Sequence, residues 1–263
     1  MVLIIIISAF CYWQNNKLIV SEYDYKNSKI PESFDGYKIV QISDLHNKMF
    51  GKNCNKLISK IKEQSPDIIV ITGDLVDLHS TNINNALIFV KQAVSIAPVY
   101  YVNGNHESEL EYKDYSELTV NMIKYGANVL KDETVIIRKD NDYIYITDLN
   151  DGDLVDDTLN KKTRNFNENI FKILLAHEPQ FIDNYSLCEM DLVFSGHAHG
   201  GQIRLPFLKG LYAPNQGFFP KYTSGKYIYE QTTMFVSQGL GNSSIPVRIF
   251  NYPQIITVTL HTK

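Results

Sequence analysis

The sequence predicts an α/β fold with its chemistry at the carboxyl ends of strands, and three observations carry that prediction. Apolar, β-branched runs alternate with segments of helical period through the first half of the chain. Short strand-like runs then dominate the second half. Between them lie five polar segments: Asp44-Leu45-His46, Gly73-Asp74, Gly104-Asn105-His106-Glu107, Ala176-His177-Glu178 and Gly196-His197-Ala198-His199. Five of the seven histidines fall in these segments, and four of the segments directly follow an apolar run. Open α/β sheets place their sites at such strand ends.

Taken in order, residues 37–43 read as a strand ending at Asp44. Cys54, Leu57, Ile58 and Ile61 have helical spacing, which predicts a helix over 53–64 that Ser65-Pro66 ends. Residues 67–72 are a near-continuous apolar run, as in a central strand covered on both faces. Asn82 or Asn84 caps a second helix carrying Leu87, Ile88, Val90, Val94 and Ile96, and 98–102 is the next strand. Strand, helix, strand, helix, strand is a βαβαβ unit with right-handed crossovers. A third helix is expected over 115–125, ended by Gly126. Strands follow at 134–138, 143–147, 170–175, 192–194, 227–230, 234–236 and 255–260, with a hairpin turn at Asn141-Asp142. The polar stretch 150–169 is expected to be a surface loop with a short helix, overhanging the site.

Composition sets the bounds. A chain of 263 residues buries a full core as one large domain, expected over 37–263. Its 44% hydrophobic and 21% charged content is that of a globular protein, not a disordered one. A formal net charge of -4 offers no basic field, so no nucleic-acid partner is expected. Three widely spaced cysteines, Cys11, Cys54 and Cys188, form no disulfide framework.

Residues 1–16 stand apart as a short apolar segment. The run 2–13 is nearly all apolar but falls short of the roughly 20 residues that span a bilayer. Its length suits a signal core, yet no Lys or Arg precedes it, and Phe10 before Cys11 does not suit a lipoprotein cleavage site. Tyr12 and Trp13 suit a membrane–water interface. The favoured expectation is a truncated anchor or signal that places the protein at the cell membrane or envelope, with a cytoplasmic location as the alternative. Its β-branched isoleucines also allow a buried first strand.

Two Asp, one Asn and four His of the polar segments offer oxygen and imidazole donors without a thiolate. That mix suits Mn, Fe, Zn or Ni better than an all-cysteine zinc site or an all-oxygen Ca or Mg site. Seven ligands are too many for one ion, but one shared carboxylate lets them serve two divalent ions. Two ions about 4 Å apart clamp phosphate oxygens and generate a bridging hydroxide as nucleophile. Singly, Asp44 and Asp74 read as caps, Asn105 as a turn residue and His177 as an interior histidine. Their ordered recurrence at successive strand ends outweighs those readings.

The ordered set Asp44-x-His46, Gly73-Asp74, Gly104-Asn105-His106-Glu107, His177 and Gly196-His197-x-His199 resembles the metallophosphoesterase (calcineurin-like phosphoesterase) superfamily, from about residue 37 to the end. The resemblance implies a four-layer α/β/β/α sandwich of two mixed sheets with a dinuclear metal site at the strand ends. It implies that Asp44, His46 and His199 hold one ion, that Asp74 bridges, and that Asn105, His177 and His197 hold the second. His106 is then no ligand but faces the substrate phosphate and assists the leaving group. Asp77 and Glu107 are expected to orient imidazoles from behind.

Gly200 to Arg204 and beyond resembles a bacterial, membrane-associated branch that includes UDP-2,3-diacylglucosamine pyrophosphatase-like enzymes. Arg204 is a candidate partner for a substrate phosphate. The loop 205–222, with Phe207, Leu208, Leu211, Tyr212, Phe218, Phe219 and Tyr222, is expected to admit acyl chains or rest on a membrane. The implied activity is hydrolysis of a phosphodiester or pyrophosphate in a small-molecule, lipid-linked or nucleotide-sugar substrate. A soluble nucleotide phosphodiesterase or phosphatase, and a binding scaffold that has lost catalysis, are the alternatives. No binding motif for a protein partner is readable.

Overall fold

The apolar runs become two six-stranded sheets. They are seen in a computed structural model that describes residues 1–131, 133–151, 155–164, 166–205, 209–242 and 247–263. In chain order the elements of the first half are α1 (Val2–Asn16), β1 (Ile19–Asn27), β2 (Lys38–Ile42), α2 (Asn55–Glu63), β3 (Ile68–Thr72), α3 (Ile83–Ala93), β4 (Val99–Val102), α4 (Asn105–Ser108), α5 (Tyr112–Tyr125) and β5 (Asn128–Val129). The second half holds β6 (Thr134–Lys139), β7 (Asp142–Leu149), α6 (Val155–Thr163), β8 (Lys172–Ala176), α7 (Ile182–Leu187) and β9 (Leu192–Ser195). It ends with β10 (Tyr212–Ala213), β11 (Gly217–Phe218), β12 (Gly225–Tyr229), β13 (Thr232–Val236) and β14 (Gln254–Thr262).

The first sheet runs β1-β14-β2-β3-β4-β5 and the second β12-β13-β9-β8-β7-β6. Both are mixed. In the first, β2, β3, β4 and β5 are parallel and β14 is antiparallel to β2. In the second, β13, β9, β8 and β7 are parallel, with β12 and β6 antiparallel at the edges. Three apolar layers hold the stack together. Val70, Ile144, Phe194 and Phe235 belong to the layer between the sheets. Leu57, Val90 and Met122 pack α2, α3 and α5 on the outer face of the first sheet. Leu159 and Tyr185 pack α6 and α7 on the second. The order is therefore α/β/β/α, as expected. Burial on both faces explains why β3 and β8 read as unbroken apolar runs.

Several elements depart from the sequence reading. The first segment is not a buried strand. It forms the helix α1, and Val2 through Ile7 are all more than half exposed. The edge position that a buried strand would need belongs instead to β1, parallel to β14. Strand β1 was not expected because Ser21, Glu22, Asp24 and Lys26 interrupt its apolar pattern, as suits an edge. The hairpin register pairs Lys139 with Asp142, so the turn is Asp140-Asn141, with Asp140 at φ 54°. Among the described residues no helix is long and apolar enough to cross a membrane.

Candidate metal centre

Asp44, Asp74 and Asn105 follow β2, β3 and β4 of the first sheet; His177 and His197 follow β8 and β9 of the second. The two parallel sets point their carboxyl ends the same way, so five loops from two sheets converge. Just beneath them, Gln41 Nε2 ties the sheets together by donating to Thr72 Oγ1 at 2.9 Å and to Ser195 O at 2.8 Å. The loops then pair with one another: Asp44 N donates to Gly73 O, and His46 N to Asp74 O, each at 3.0 Å.

Backbone strain concentrates here. Asp44, His46, Asp74, His197 and His199 all adopt φ between 45° and 64°, a region that side chains seldom occupy. Gly73, at φ 86°, lets this loop touch its neighbour, since a Cβ there would lie 2.5 Å from Gly104 N.

The side chains form two clusters that share Asp74. In one, Asp44, His46, Asp74 and His199 each bring a ligand atom within 4.8 Å of the others; in the second, Asp74, His177 and His197 do the same. Asp74 Oδ2 lies 3.5 Å from His46 Nε2 and 3.2 Å from His177 Nε2. His199 Nε2 is 3.4 Å from Asp44 Oδ1 and 3.2 Å from His46 Nε2. Asn105 Oδ1 stands 2.9 Å from His197 Nδ1 and 3.2 Å from His177 Nε2. All seven sequence-predicted ligands are thus brought together, with His106 at the edge. Its Nε2 is 4.0 Å from Asp74 Oδ2. A third group, His46, Asp77 and His106, lies alongside.

The donor set fits divalent metal. Asp44 is fully buried, and its Oδ2 has no hydrogen-bond partner among the described residues. Two imidazole nitrogens 3.2 Å apart, as on His46 and His199, place lone pairs in contact unless a cation or proton lies between them. Burial pushes His46 down to about 4 and His197 to about 3, which keeps both imidazoles neutral and able to bind metal. Burial raises the Asp44 carboxyl to about 6. Burial also opposes charge on Asp74, but His177, His46 and His106 together hold it well below the usual carboxylate range.

Behind these groups the roles differ from expectation. Among the described residues Glu107 orients no imidazole. It accepts backbone N–H groups from Asp74 at 2.7 Å, Gly104 at 2.9 Å and Val76 at 3.0 Å, so it staples the loop after β3 to the loop after β4. Asp77 Oδ2 does approach His46 Nδ1, at 3.7 Å. His177 Nδ1 meets a backbone carbonyl, Thr72 O at 2.7 Å, which assigns its proton to Nδ1 and leaves Nε2 facing the centre. The Nδ1 of His106 accepts from Leu78 N at 2.9 Å, so its proton in the neutral form is assigned to Nε2. Arg204 donates to Gly200 O and Ser224 Oγ and so braces its own loop.

Sequence reasoning missed three contributors. Glu178 Oε1 is 3.9 Å from His197 Nε2 and accepts from Asn215 Nδ2 at 2.6 Å. Asn215 sits in the turn between β10 and β11, with its Nδ2 3.3 Å from the same His197 nitrogen. Arg248, fully buried and pushed by burial down to about 10, donates to Gln238 O and Gly241 O. It thereby fixes the loop whose Leu240 and Gly241 N–H groups hold Asp44 O. Only Glu178, beside His177 in a polar segment, carried a sequence signal. Of the apolar loop 205–222, Phe218 and Phe219 are 72% and 64% exposed, whereas Tyr222 is buried; Pro206, Phe207 and Leu208 lie outside the described residues.

A model of the calcineurin-like phosphoesterase family matches residues 37–201. The "uncharacterized metallophosphoesterase YkuE" of Bacillus subtilis (strain 168) is 31% identical, over 95% of this chain and 87% of its own. The Bos taurus "transmembrane protein with metallophosphoesterase domain" is 28% identical, over 88% of this chain and 54% of its own. The crystal structure of phosphopantetheinyl hydrolase from Mycobacterium tuberculosis superposes with a TM-score of 0.52 at 12% identity. That match covers 79% of this chain and 91% of the other, and it is a likeness of fold alone. With loops from two sheets converging on shared carboxylate and imidazole donors, and a relative that runs almost the full length, the chain belongs to the calcineurin-like metallophosphoesterase family of metal-dependent phosphoester hydrolases.

Proposed function

We propose that the chain is a dinuclear phosphohydrolase that cleaves a phosphodiester or pyrophosphate in a lipid-linked or nucleotide-sugar substrate at a membrane surface. The observation that carries this reading is the position of Asp74 Oδ2, within 3.5 Å of one imidazole from each cluster. In this assignment Asp44, His46 and His199 would hold one ion, Asn105, His177 and His197 would hold the second, and Asp74 would serve both. Two divalent ions, Mn in the first instance, would supply the charge that binds phosphate and acidifies water. The chain's own part is to hold the donors pre-aimed and to position a proton. His106 supplies that proton, because its Nε2–H faces the centre while Leu78 N holds the opposite nitrogen.

Support for a membrane surface comes from two exposed apolar features. Helix α1 presents Val2 through Ile7 to solvent and is clasped to the domain at its far end, where Trp13 and Phe10 meet Tyr252 and Phe250 edge-on. The β10–β11 hairpin carries Phe218 and Phe219 and touches His197 through Asn215.

The test is hydrolysis of bis-p-nitrophenyl phosphate against p-nitrophenyl phosphate by metal-stripped protein refilled with Mn, alongside His106→Ala. The wild type is expected to turn over the diester with two ions bound per chain. The variant should keep both ions and lose about 10²–10⁴-fold in turnover, the range of a general acid. Metal loss in the variant would move His106 into the ligand set. Two bound ions with no turnover of either ester or of a lipid-linked pyrophosphate would overturn the enzyme reading.

A further inference from the structure

Beside the metal centre opens a cleft of about 370 Å³, in the size range of small-ligand sites. It shares backbone with the site. Asn103 lies just ahead of Gly104-Asn105-His106, and Ser108 just behind. Asn103 N–H donates to Asn150 Oδ1 at 3.1 Å, and Ser108 Oγ donates to Asp151 O at 3.0 Å, so the segment after β7 forms the opposite wall.

The lining offers the Asp151 carboxylate as an acceptor. Asn103 is 8% exposed and donates through Nδ2 to Tyr115 Oη, so its amide braces the wall. Burial raises the Asp151 carboxyl to about 6 against the pull of nearby His177. On the rim Tyr112 is 86% exposed and offers a free ring face. Lys131 Nζ stands 5.7 Å from the Tyr115 ring centroid and sets a cation in the wall.

An acyl chain lodged here would strip water from the Asp151 carboxylate and return no hydrogen bond. Vicinal hydroxyls give the two carboxylate oxygens donors, and the C–H face of a sugar ring rests on an aromatic plane. We propose that this cleft is the subsite for a hydroxyl-bearing sugar ring esterified to the phosphate at the metal centre, with the Asp151 carboxylate accepting its hydroxyls and Tyr112 covering its face. The proposal rests on the phosphoester reading above and names the part of the substrate that this side of the site selects.

The experiment is calorimetric titration of the Mn-loaded full chain with methyl phosphate, ribose 5-phosphate and glucose 1-phosphate. The better sugar phosphate is expected to bind at least about tenfold tighter than methyl phosphate, the worth of one hydrogen bond to a charged group. That ratio should fall to within about twofold in Asp151→Ala and in Tyr112→Ala, each compared with its own methyl phosphate affinity. The rim position of Tyr112 makes its variant a safe second probe should Asp151→Ala disturb the fold. Equal affinities in the wild type, or a sugar advantage that survives both substitutions, overturns the proposal. Failure to bind methyl phosphate together with failure to hydrolyse the diester instead sinks the phosphoester reading, and the subsite with it.

Discussion

Replacing Glu107 tests whether this family's carboxylate after the histidine serves the fold or the metal. The residue is 1% exposed, and its two carboxylate oxygens accept three backbone N–H groups at 2.7–3.0 Å. Glu107→Ala orphans all three buried donors, at about 1–3 kcal/mol each. Against a typical total stability of about 5–15 kcal/mol, the variant is expected to be largely unfolded or insoluble. Glu107→Gln keeps the shape. Its amide oxygen can serve Asp74 N and Gly104 N, while its NH2 then confronts Val76 N, so one donor is lost at about 1–3 kcal/mol. With about 2–4 °C per kcal/mol in larger domains, the melting point should fall by several degrees. The assay is thermal and urea unfolding of the metal-free chain. A carboxylate that only oriented a metal ligand would leave metal-free stability unchanged. Unfolding of Glu107→Ala within about 0.5 kcal/mol of the wild type, the size of an ordinary surface effect, would refute the staple.

Two further outcomes follow from groups outside the metal centre. Ile5→Asp with Ile6→Asp should abolish flotation with anionic liposomes while leaving diester turnover in place, because each isoleucine lost from the apolar phase forfeits about 1.5–3 kcal/mol. Equal flotation of the two proteins would remove α1 from the membrane reading. The Tyr25 phenol donates to Asp191 O at 3.0 Å, and burial pushes it up to about 12 from its ordinary 10.0. The unfolded chain therefore loses this proton first, so stability should be constant below pH 10 and fall between pH 10 and 12, by up to about 1.4 kcal/mol per unit from this group. Tyr25→Phe should show a shallower alkaline fall in urea unfolding, and an unchanged slope would contradict the assignment.

The clearest sequence signal came from residues whose chemistry and strand context coincide. Asp44, Asp74, His177 and His197 each end an apolar run, and a run buried on both faces is visible as unbroken Ile, Val and Leu. Elements at the margins were not visible in this way. Strand β1 alternates polar residues with Tyr23 and Tyr25, and β10 and β11 are two residues each, below the length at which periodicity means anything. The direction of Glu107 is hidden from the sequence for a related reason. Its carboxylate partners are N–H groups of another loop, at Asp74 and Val76, and a backbone donor has no letter in the sequence.

The sequence by itself determined the family, the α/β class and the metal-type donor set, because these depend on residue identity and on local period. Only the tertiary structure decided what surrounds the donors. It joined the two sheets through Gln41 and drew Arg248 from a distant loop to fix the backbone around Asp44. It set Asn215 and Glu178 at the outer nitrogen of His197, and placed Asp151 beside the loop of His106. Those contacts join residues far apart in the chain through hydrogen bonds and burial, and such partners are chosen by where the packed sheets bring their loops, which no local pattern encodes.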